Sequence, residues 1–281
     1  MNINRLFALV AILIGFVSVL DAADLQPEEV IARHLNSVAA EDKRQALKTL
    51  FAVGLSDFES KNPSARGGGK AIVVSDPNDL YFLMSLNSRE YPFEKIGAFG
   101  DNISLPFVSP GRRSVLGAFL LDNPGILLEG LFCGSMSLRW LDHISDTARI
   151  KMKSAKMKKI NGRDTYPIDV FIASGGAANF RVRLYFDRET FHHVRSEYHR
   201  EVDIGTITFR QQNQSHNATV DVVEEFSEFK DVDGFTLPHV YKVTLTSNSE
   251  SQNYESSWGI QVSNYYLNQK LEPGFFTFDV K

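Results

Sequence analysis

Cysteine is almost absent from this sequence, because Cys133 is the only one in 281 residues. One thiol cannot form an intramolecular disulfide, so we expect the fold to depend on a hydrophobic core for its stability. Cys133 follows the largely apolar run at 126–132. This setting predicts a buried, inert thiol, because a catalytic thiol needs a positioned histidine and polar surroundings.

A strong charge of either sign is also missing. The chain has 30 lysines and arginines against 34 aspartates and glutamates, which gives a formal net charge of −4. This balance argues against an extended basic face for nucleic acid and against a strongly acidic tail. The composition, with 43% hydrophobic and 23% charged residues, is typical of a globular protein.

The sequence also lacks recognisable catalytic motifs. The glycine-rich segment 66–70 has neither the glycine spacing nor the Ser or Thr of a phosphate-binding loop, and we interpret it as a turn between strands. A Gly-x-Ser-x-Gly motif is missing, and Asp142, His143 and Ser145 form only a local polar cluster. We therefore predict a protein that is not an enzyme and uses no cofactor.

Metal ligands in a suitable arrangement are missing too. His193, Glu197 and His199 would share one face of a strand, with His192 on the other face. His193 and His199 are then roughly 20 Å apart, at ~3.3 Å per residue. Because zinc ligands bind at about 2 Å, we predict no metal site in this segment.

The amino terminus has the pattern of a secretory signal peptide. Arg5 gives a positive start, 6–20 is apolar apart from Gly15 and Ser18, and a short cleavage segment follows at 21–23. The apolar run of roughly 15 residues is shorter than the roughly 20 that span a bilayer, although an uncleaved anchor is the alternative. We predict that residues 1–22 are removed and that 23–281 forms one soluble, exported domain.

The first half of the mature chain combines helical and strand patterns. Residues 27–50 begin with Pro27 and have apolar side chains at helical spacing, which predicts one or two helices. From Phe51 the apolar period becomes two, and 70–74 and 79–86 are further predicted strands. The segment 87–147 is rich in proline and in apolar residues, and we interpret it as a lid of short helices and loops.

The second half predicts a series of long antiparallel strands. Apolar and polar residues alternate, and turn residues such as Asn161-Gly162 and Asp233-Gly234 separate the strands. Short connections imply hairpins and therefore an antiparallel meander. The predicted strands are 148–160, 164–173, 179–187, 192–202, 219–230, 235–247 and 252–268.

One face of these strands is apolar and must be covered by other parts of the chain. The amino-terminal helical segment and residues 110–132 are the sizeable segments available for this purpose. The sequence therefore predicts an α+β fold that is mainly β, with a curved antiparallel sheet wrapped over covering helices. The apolar face is either a packed core or the wall of a cavity, and both interpretations stay open at this point.

Taken together, these segments resemble the periplasmic lipoprotein carrier superfamily, which includes LolA, LolB and the amino-terminal domain of RseB. The resemblance extends in order along nearly the whole mature chain and consists of short segments, none of which is a catalytic motif. The matching segments are 29–35, 43–49, 51–54, the hairpin Ile-Asn-Gly-Arg-Asp-Thr-Tyr-Pro-Ile at 160–168, 184–195, 231–239 and 268–278.

The resemblance implies an open, half-closed antiparallel β-barrel with helices across its mouth and an apolar cavity for acyl chains. It implies a periplasmic carrier or binding protein for an acylated lipoprotein or lipid, involved in lipoprotein sorting and outer-membrane biogenesis. An outer-membrane acceptor protein or an anionic membrane surface would be its further partner. The alternative is an envelope-stress sensor or scaffold that binds a protein partner, as RseB does.

Two sets of residues are expected to form the ligand site. The expected cavity lining on the strands is Val170, Ile172, Val182, Leu184, Tyr241, Val243, Trp258 and Ile260. The expected covering residues in the lid are Leu116, Phe119, Leu120, Leu127 and Leu131.

A basic run at 151–159 has two interpretations. It is either a solvated strand face or a surface that attracts an acidic partner or anionic lipid headgroups, at about 1 kcal/mol per charge near an anionic membrane.

Overall fold

The computed structural model describes residues 25–172, 180–203, 217–248, 253–272 and 274–276. In these ranges the chain forms a sheet of 13 strands and several short helices. The predicted signal peptide, residues 1–22, lies outside the described residues. No helix within the described ranges has both the length and the apolar character needed to cross a membrane.

The helices are short and lie at two places in the chain. The first helix begins at Pro27, and Glu28 and Glu29 complement the dipole of its first turn. Ser114 caps the third helix, because its Oγ accepts a hydrogen bond from the Gly117 backbone N–H at 2.8 Å. The α-helices are α1 (Pro27–Val38), α2 (Glu41–Ala46), α3 (Val115–Asp122), α4 (Gly125–Leu128) and α5 (Leu138–His143), with a 3-10 turn at Gly134–Met136.

The strands confirm the predicted antiparallel pattern of the second half. Their bounds are β1 (Leu50–Lys61), β2 (Ser64–Ser75), β3 (Asp79–Ser85), β4 (Phe93–Phe99), β5 (Asn102–Ser104), β6 (Ile150–Ser154), β7 (Lys158–Ile160), β8 (Arg163–Ile172), β9 (Phe180–Asp187), β10 (His193–Asp203), β11 (Asn217–Val232), β12 (Phe235–Asn248) and β13 (Asn253–Leu267). The predicted strand at 148–160 is divided into β6 and β7.

The sheet is open and almost entirely a meander. Its order is β5-β4-β3-β2-β1-β13-β12-β11-β10-β9-β8-β6, with β7 also paired to β8. The exceptions to sequential pairing are the antiparallel contacts of β1 with β13 and of β6 with β8. The two ends of this order, β5 and β6, are separate edges, so the sheet forms the predicted half-closed barrel rather than a closed one.

The helices cover the apolar inner face of the sheet. Helix α1 packs against β6 and β12, α3 packs against β4, and the turn at Gly134–Met136 packs against β10 and β12. Buried side chains from these helices and from the strands form one hydrophobic core. The covering role predicted for the amino-terminal helix and for residues 110–132 is confirmed.

The predicted turn at 66–70 is wrong, because this segment lies inside β2. The hairpin between β1 and β2 turns earlier, at Asn62-Pro63. The glycines serve close strand contact instead: a Cβ atom on Gly67 would lie 2.3 Å from the Leu86 carbonyl oxygen, and one on Gly69 would lie 2.7 Å from that of Ser85.

The segment 87–147 also differs from its predicted structure of helices and loops only. It contains the hairpin of β4 and β5, which extends the sheet beyond β3. The alternation in β4 places Glu94, Ile96 and Ala98 inward. A glutamate at an inward position breaks the apolar pattern, and this explains why the sequence did not indicate a strand here.

A substitution at Gly54 tests the close contact between β1 and β13. The register of these strands shifts between Val53 and Gly54, and a Cβ atom on Gly54 would lie 2.1 Å from the Gln261 carbonyl oxygen. We expect Gly54→Ala to lower the free energy of unfolding by about 1–3 kcal/mol, measured by urea denaturation. Leu55→Ala, at the exposed neighbouring position, is the control and should change it by less than about 0.5 kcal/mol. Equal stability of the two variants would contradict the contact.

Candidate functional site

The predicted lining residues lie on the inner face of the sheet. They come from β8, β9, β12 and β13, and the strand register places Val170 opposite Val182 and Val243 opposite Trp258. Seven of the eight are no more than 4% exposed, and Ile172 is half-buried against the same core. The predicted set therefore forms two patches of the inner face, one on β8 and β9 and one on β12 and β13, with β10 and β11 between them.

The predicted lid residues of α3 and α4 lie on helices that pack against β4 and β5. Leu116, Phe119 and Leu120 belong to α3, Leu127 belongs to α4, and Leu131 follows in the next loop. Each is no more than 5% exposed, and each belongs to the same hydrophobic core as the lining. The structure thus brings the two sets together in a closed, packed arrangement.

One end of the inner face opens into an apolar groove beside α3, which we refer to as the rim groove. Its volume is about 370 Å³, within the range of roughly 300–1,000 Å³ for ligand pockets. The groove continues the inner face, because Val220, Ser247 and Tyr254 are successive register partners. Its lining is Val115, Ala118, Phe119, Asp122, Arg200, Val220, Leu245, Ser247 and Tyr254.

A buried carboxyl group lies in the middle of the predicted lining. Glu224 on β11 is the register partner of Val243. The hydroxyls of Tyr241 and Tyr198 donate hydrogen bonds to it at 2.5 and 2.6 Å, and the Cys133 backbone N–H donates at 2.8 Å. Burial raises the pKa of Glu224 to about 7, and the hydrogen bonds oppose that rise. Glu224 therefore links β10, β11 and β12 to the lid.

A second buried carboxyl group links the sheet to the start of α3. The Tyr91 hydroxyl donates a hydrogen bond to Glu94 on β4, and Trp258 Nε1 donates to the Tyr91 oxygen at 2.8 Å. Ser114, the capping residue of α3, also hydrogen-bonds to Glu94. Burial raises the pKa of Glu94 to about 7. Both buried carboxyl groups thus connect strands to the segment that covers them.

A chain of buried rings connects α1, α5 and β10. Trp140 Nε1 donates to His34 Nε2 at 2.9 Å. His34 Nδ1 therefore carries the proton and donates to the Phe191 carbonyl oxygen at 3.0 Å. The His193 ring stacks on Trp140 with centroids 4.3 Å apart. Burial lowers the pKa of His34 to about 3 and that of His193 well below its usual value, so both rings are neutral.

The overall arrangement is similar to solved structures. No protein-family model matches the chain, and no curated protein matches its sequence. The crystal structure of a LolA superfamily protein from Nitrosomonas europaea matches with a TM-score of 0.50 at 11% identity, covering 91% of this chain and 99% of that chain. This chain has the LolA-like fold. The resemblance predicted from the sequence is confirmed at the level of the fold.

Two further structures are similar at lower scores. A putative outer membrane lipoprotein-sorting protein domain from Vibrio parahaemolyticus has a TM-score of 0.46 at 12% identity, covering 88% of this chain and 97% of that chain. A DUF1329 family protein from Desulfovibrio piger has a TM-score of 0.41 at 10% identity, covering 88% and 95%. Their scores add no argument beyond the LolA-like fold itself.

The polar groups inside this LolA-like fold were missed by sequence reasoning. Glu224 lies between the inward-facing Val222 and Phe226 on one strand. In the sequence, Glu224 stands at a position where the alternation places apolar, inward-facing side chains. Glu94 and Arg200 stand at positions of the same kind. The alternation predicted the apolar neighbours of these residues, but it does not predict a polar residue at an inward position.

The predicted common face of His193, Glu197 and His199 is wrong. The register of β10 against β9 shifts between His193 and Arg195. His193 is therefore buried on the inner face, whereas His199 Nδ1 lies 2.6 Å from Asp221 Oδ1 on the outer face. Within the described residues, no group of three or more His, Cys, Asp or Glu side chains is arranged to hold a metal ion.

The buried thiol predicted for Cys133 is confirmed. The side chain is fully buried, and burial together with the nearby Glu224 raises the pKa of the thiol well above its usual value. A thiol with a raised pKa is a poor nucleophile.

The raised pKa of Glu224 predicts a specific pH dependence of stability. An acid whose pKa is higher in the folded state than the ordinary value of 4.5 binds more protons when folded. Its contribution to stability is therefore present at low pH and lost as the pH rises towards 7. The quantity to measure is the free energy of unfolding of the wild type minus that of Glu224→Gln. We expect this difference to fall by about 3 kcal/mol between pH 4.5 and pH 7.5.

This difference isolates one carboxyl group, because Glu94, His34 and His193 titrate equally in both proteins. Urea denaturation at a series of pH values measures it. Glu225→Gln, on the outer face of the same strand, is the matched control, and the wild-type pH profile should persist in it. A flat difference for Glu224→Gln would mean that the buried carboxyl is not protonated in the folded state.

Proposed function

We propose that this protein is a non-catalytic periplasmic carrier or binding protein for an acylated ligand, either a lipoprotein or a lipid. It would be exported by the predicted signal peptide and would act in lipoprotein sorting and outer-membrane biogenesis. The observation that carries this proposal is an apolar inner face covered by short separate helices, with an apolar groove opening at its edge.

The cover over the inner face supports a mechanism of opening. The hydrogen bonds that connect it to the sheet lie at separate points. They include the Cys133 N–H to Glu224, the Tyr198 hydroxyl to the Leu131 carbonyl at 3.1 Å, and the Leu138 N–H to Ser75 Oγ at 2.8 Å. Most of the attachment is therefore apolar contact, which an acyl chain can replace.

In this mechanism an acyl chain inserts at the rim groove and displaces lid side chains from the predicted lining. Each methylene buried would contribute about 0.8 kcal/mol. Because acyl chain and lid side chains are both apolar, the exchange needs no new polar partner inside the barrel. The five lid residues would move away from the lining as the chain enters.

A second candidate function is the binding of a protein partner by the outer face of the sheet. A concave surface of about 480 Å³ lies across β8 to β11. Phe171, 57% exposed, borders it, and Lys151 is its register partner on the edge strand β6. Lys151 and Lys153 are exposed, whereas Lys158 and Lys159 form ion pairs with acidic residues. A protein partner with exposed apolar and acidic groups would fit this surface.

The deciding experiment is mass spectrometry of organic extracts from protein purified from the periplasm without detergent. The acyl-ligand proposal predicts a stoichiometric acyl lipid or acylated peptide in the extract. A folded protein that yields no acyl compound, even after incubation with lipid vesicles, would contradict the proposal and favour the partner-binding candidate.

A comparison of two variants tests whether the lipid binds in the rim groove. Ala118 is an exposed residue of α3 that lines the groove, so Ala118→Trp should fill part of the 370 Å³ and reduce the extracted lipid severalfold. Ala46 is also exposed but lies on α2, so Ala46→Trp should retain the wild-type amount. Equal retention by the two variants would place the lipid elsewhere.

Leu184 is a weaker test position, because it is fully buried and a charge there would also destabilise the fold.

A further inference from the structure

A single arginine interrupts the apolar row at the rim of the inner face. The row contains Phe180, Arg200, Val220, Ser247 and Tyr254, which are register partners across β9 to β13. Arg200 is the charged residue of this row, and its side chain is only 21% exposed. It therefore places a guanidinium at the wall of the rim groove.

The present partners of Arg200 leave part of its hydrogen-bonding capacity unused. Its Nη1 atom donates to Asp122 Oδ2 at 2.9 Å. Its Nε atom is buried and has no hydrogen-bond partner among the described residues. Because a guanidinium has five N–H donors in a planar fork, it is suited to an anion with two or more oxygens.

Asp122, the ionic partner of Arg200 among the described residues, is itself weakly held. Asp122 is the last residue of α3, and its side chain is 61% exposed. A surface carboxylate of this kind contributes little to stability. Its oxygen shows where an anionic group sits when it pairs with Arg200 beside the groove.

The apolar part of the groove begins directly next to this charge. Val220 is the register partner of Arg200, and Phe119 and Leu245 line the same groove. A cation beside an apolar channel matches a molecule that has an anionic group at one end and an alkyl chain behind it. A neutral lipid would offer the partly buried guanidinium no charged partner.

We propose that Arg200 binds the anionic headgroup of an acyl ligand whose chain extends along the rim groove. The ligand class is an anionic amphiphile, with a carboxylate or a phosphate ester attached to an alkyl chain. The headgroup replaces Asp122 as the partner of Arg200. This inference rests on the proposed acyl-ligand function and adds the headgroup chemistry to it.

The test compares ligands that share a chain and differ in headgroup. Laurate, dodecyl phosphate and 1-dodecanol are titrated into the full mature protein below their micellar concentrations, with displacement of a fluorescent acyl probe as the readout. We expect the two anions to bind at least about tenfold more tightly than the alcohol, as for charge-assisted hydrogen bonds in a partly buried site. Comparison of dodecyl phosphate with laurate shows whether the site prefers a phosphate ester or a carboxylate.

Three variants assign the preference to Arg200. Arg200→Gln should bind all three compounds with similar affinity, because the charge that distinguishes the headgroups is removed. Asp122→Asn removes the competing carboxylate at an exposed position, so it should tighten binding of the anions by roughly two- to fivefold. Arg33→Gln, at an exposed arginine of α1, is the matched control and should behave as the wild type.

The outcomes separate this inference from the proposed function. Equal wild-type affinity for the anions and the alcohol would overturn the role of Arg200 while leaving the acyl-ligand function in place. Binding of none of the three compounds would overturn both. An unchanged anion preference in folded Arg200→Gln would place the headgroup at another residue.

Discussion

The apolar inner face of an open sheet is the constraint from which the other features of this structure follow. A half-closed barrel cannot bury this face against itself, so other segments must exclude water from it. Here that role falls to α1 and to the helices at 115–143. Part of the core is consequently an interface between the sheet and several short helices. Such an interface separates more readily than the interior of a closed barrel, because the helices do not belong to the strand hydrogen-bond network.

Polar groups inside the core determine how the cover is attached. Glu224 and Glu94 hold the lid loop and the start of α3, and the rings of His34, Trp140 and His193 connect α1 and α5 to β10. The carboxyl groups and the histidines all have pKa values that burial shifts towards their neutral forms. A neutral group can be buried at moderate cost when it is hydrogen-bonded. These contacts therefore orient the helices on the sheet, while apolar contact supplies most of the stabilisation.

Much of the fold could be predicted from sequence alternation, and the exceptions have specific physical causes. All eight lining positions on β8, β9, β12 and β13 follow the period of two, because these strands have one buried and one solvated face. Alternation failed where the inward residue is polar, as at Glu94 in β4. It also failed where glycine permits close strand approach instead of a turn, as at Gly67 to Gly69 in β2. The inward position of His193 depends on a register shift in β10, which the residue pattern does not contain.

The central claim is that the cover and the sheet are separable parts and that an acyl chain occupies the surface between them. Hydrogen–deuterium exchange of the backbone amides tests this directly, with and without laurate. The account predicts that amides of 115–143 exchange faster than those of β12 and β13 in the free protein. It also predicts that laurate changes exchange in 115–143 and leaves the two strands unaffected. If the helices and the strands exchange together, and laurate changes neither, the inner face is a permanently closed core and the account is contradicted.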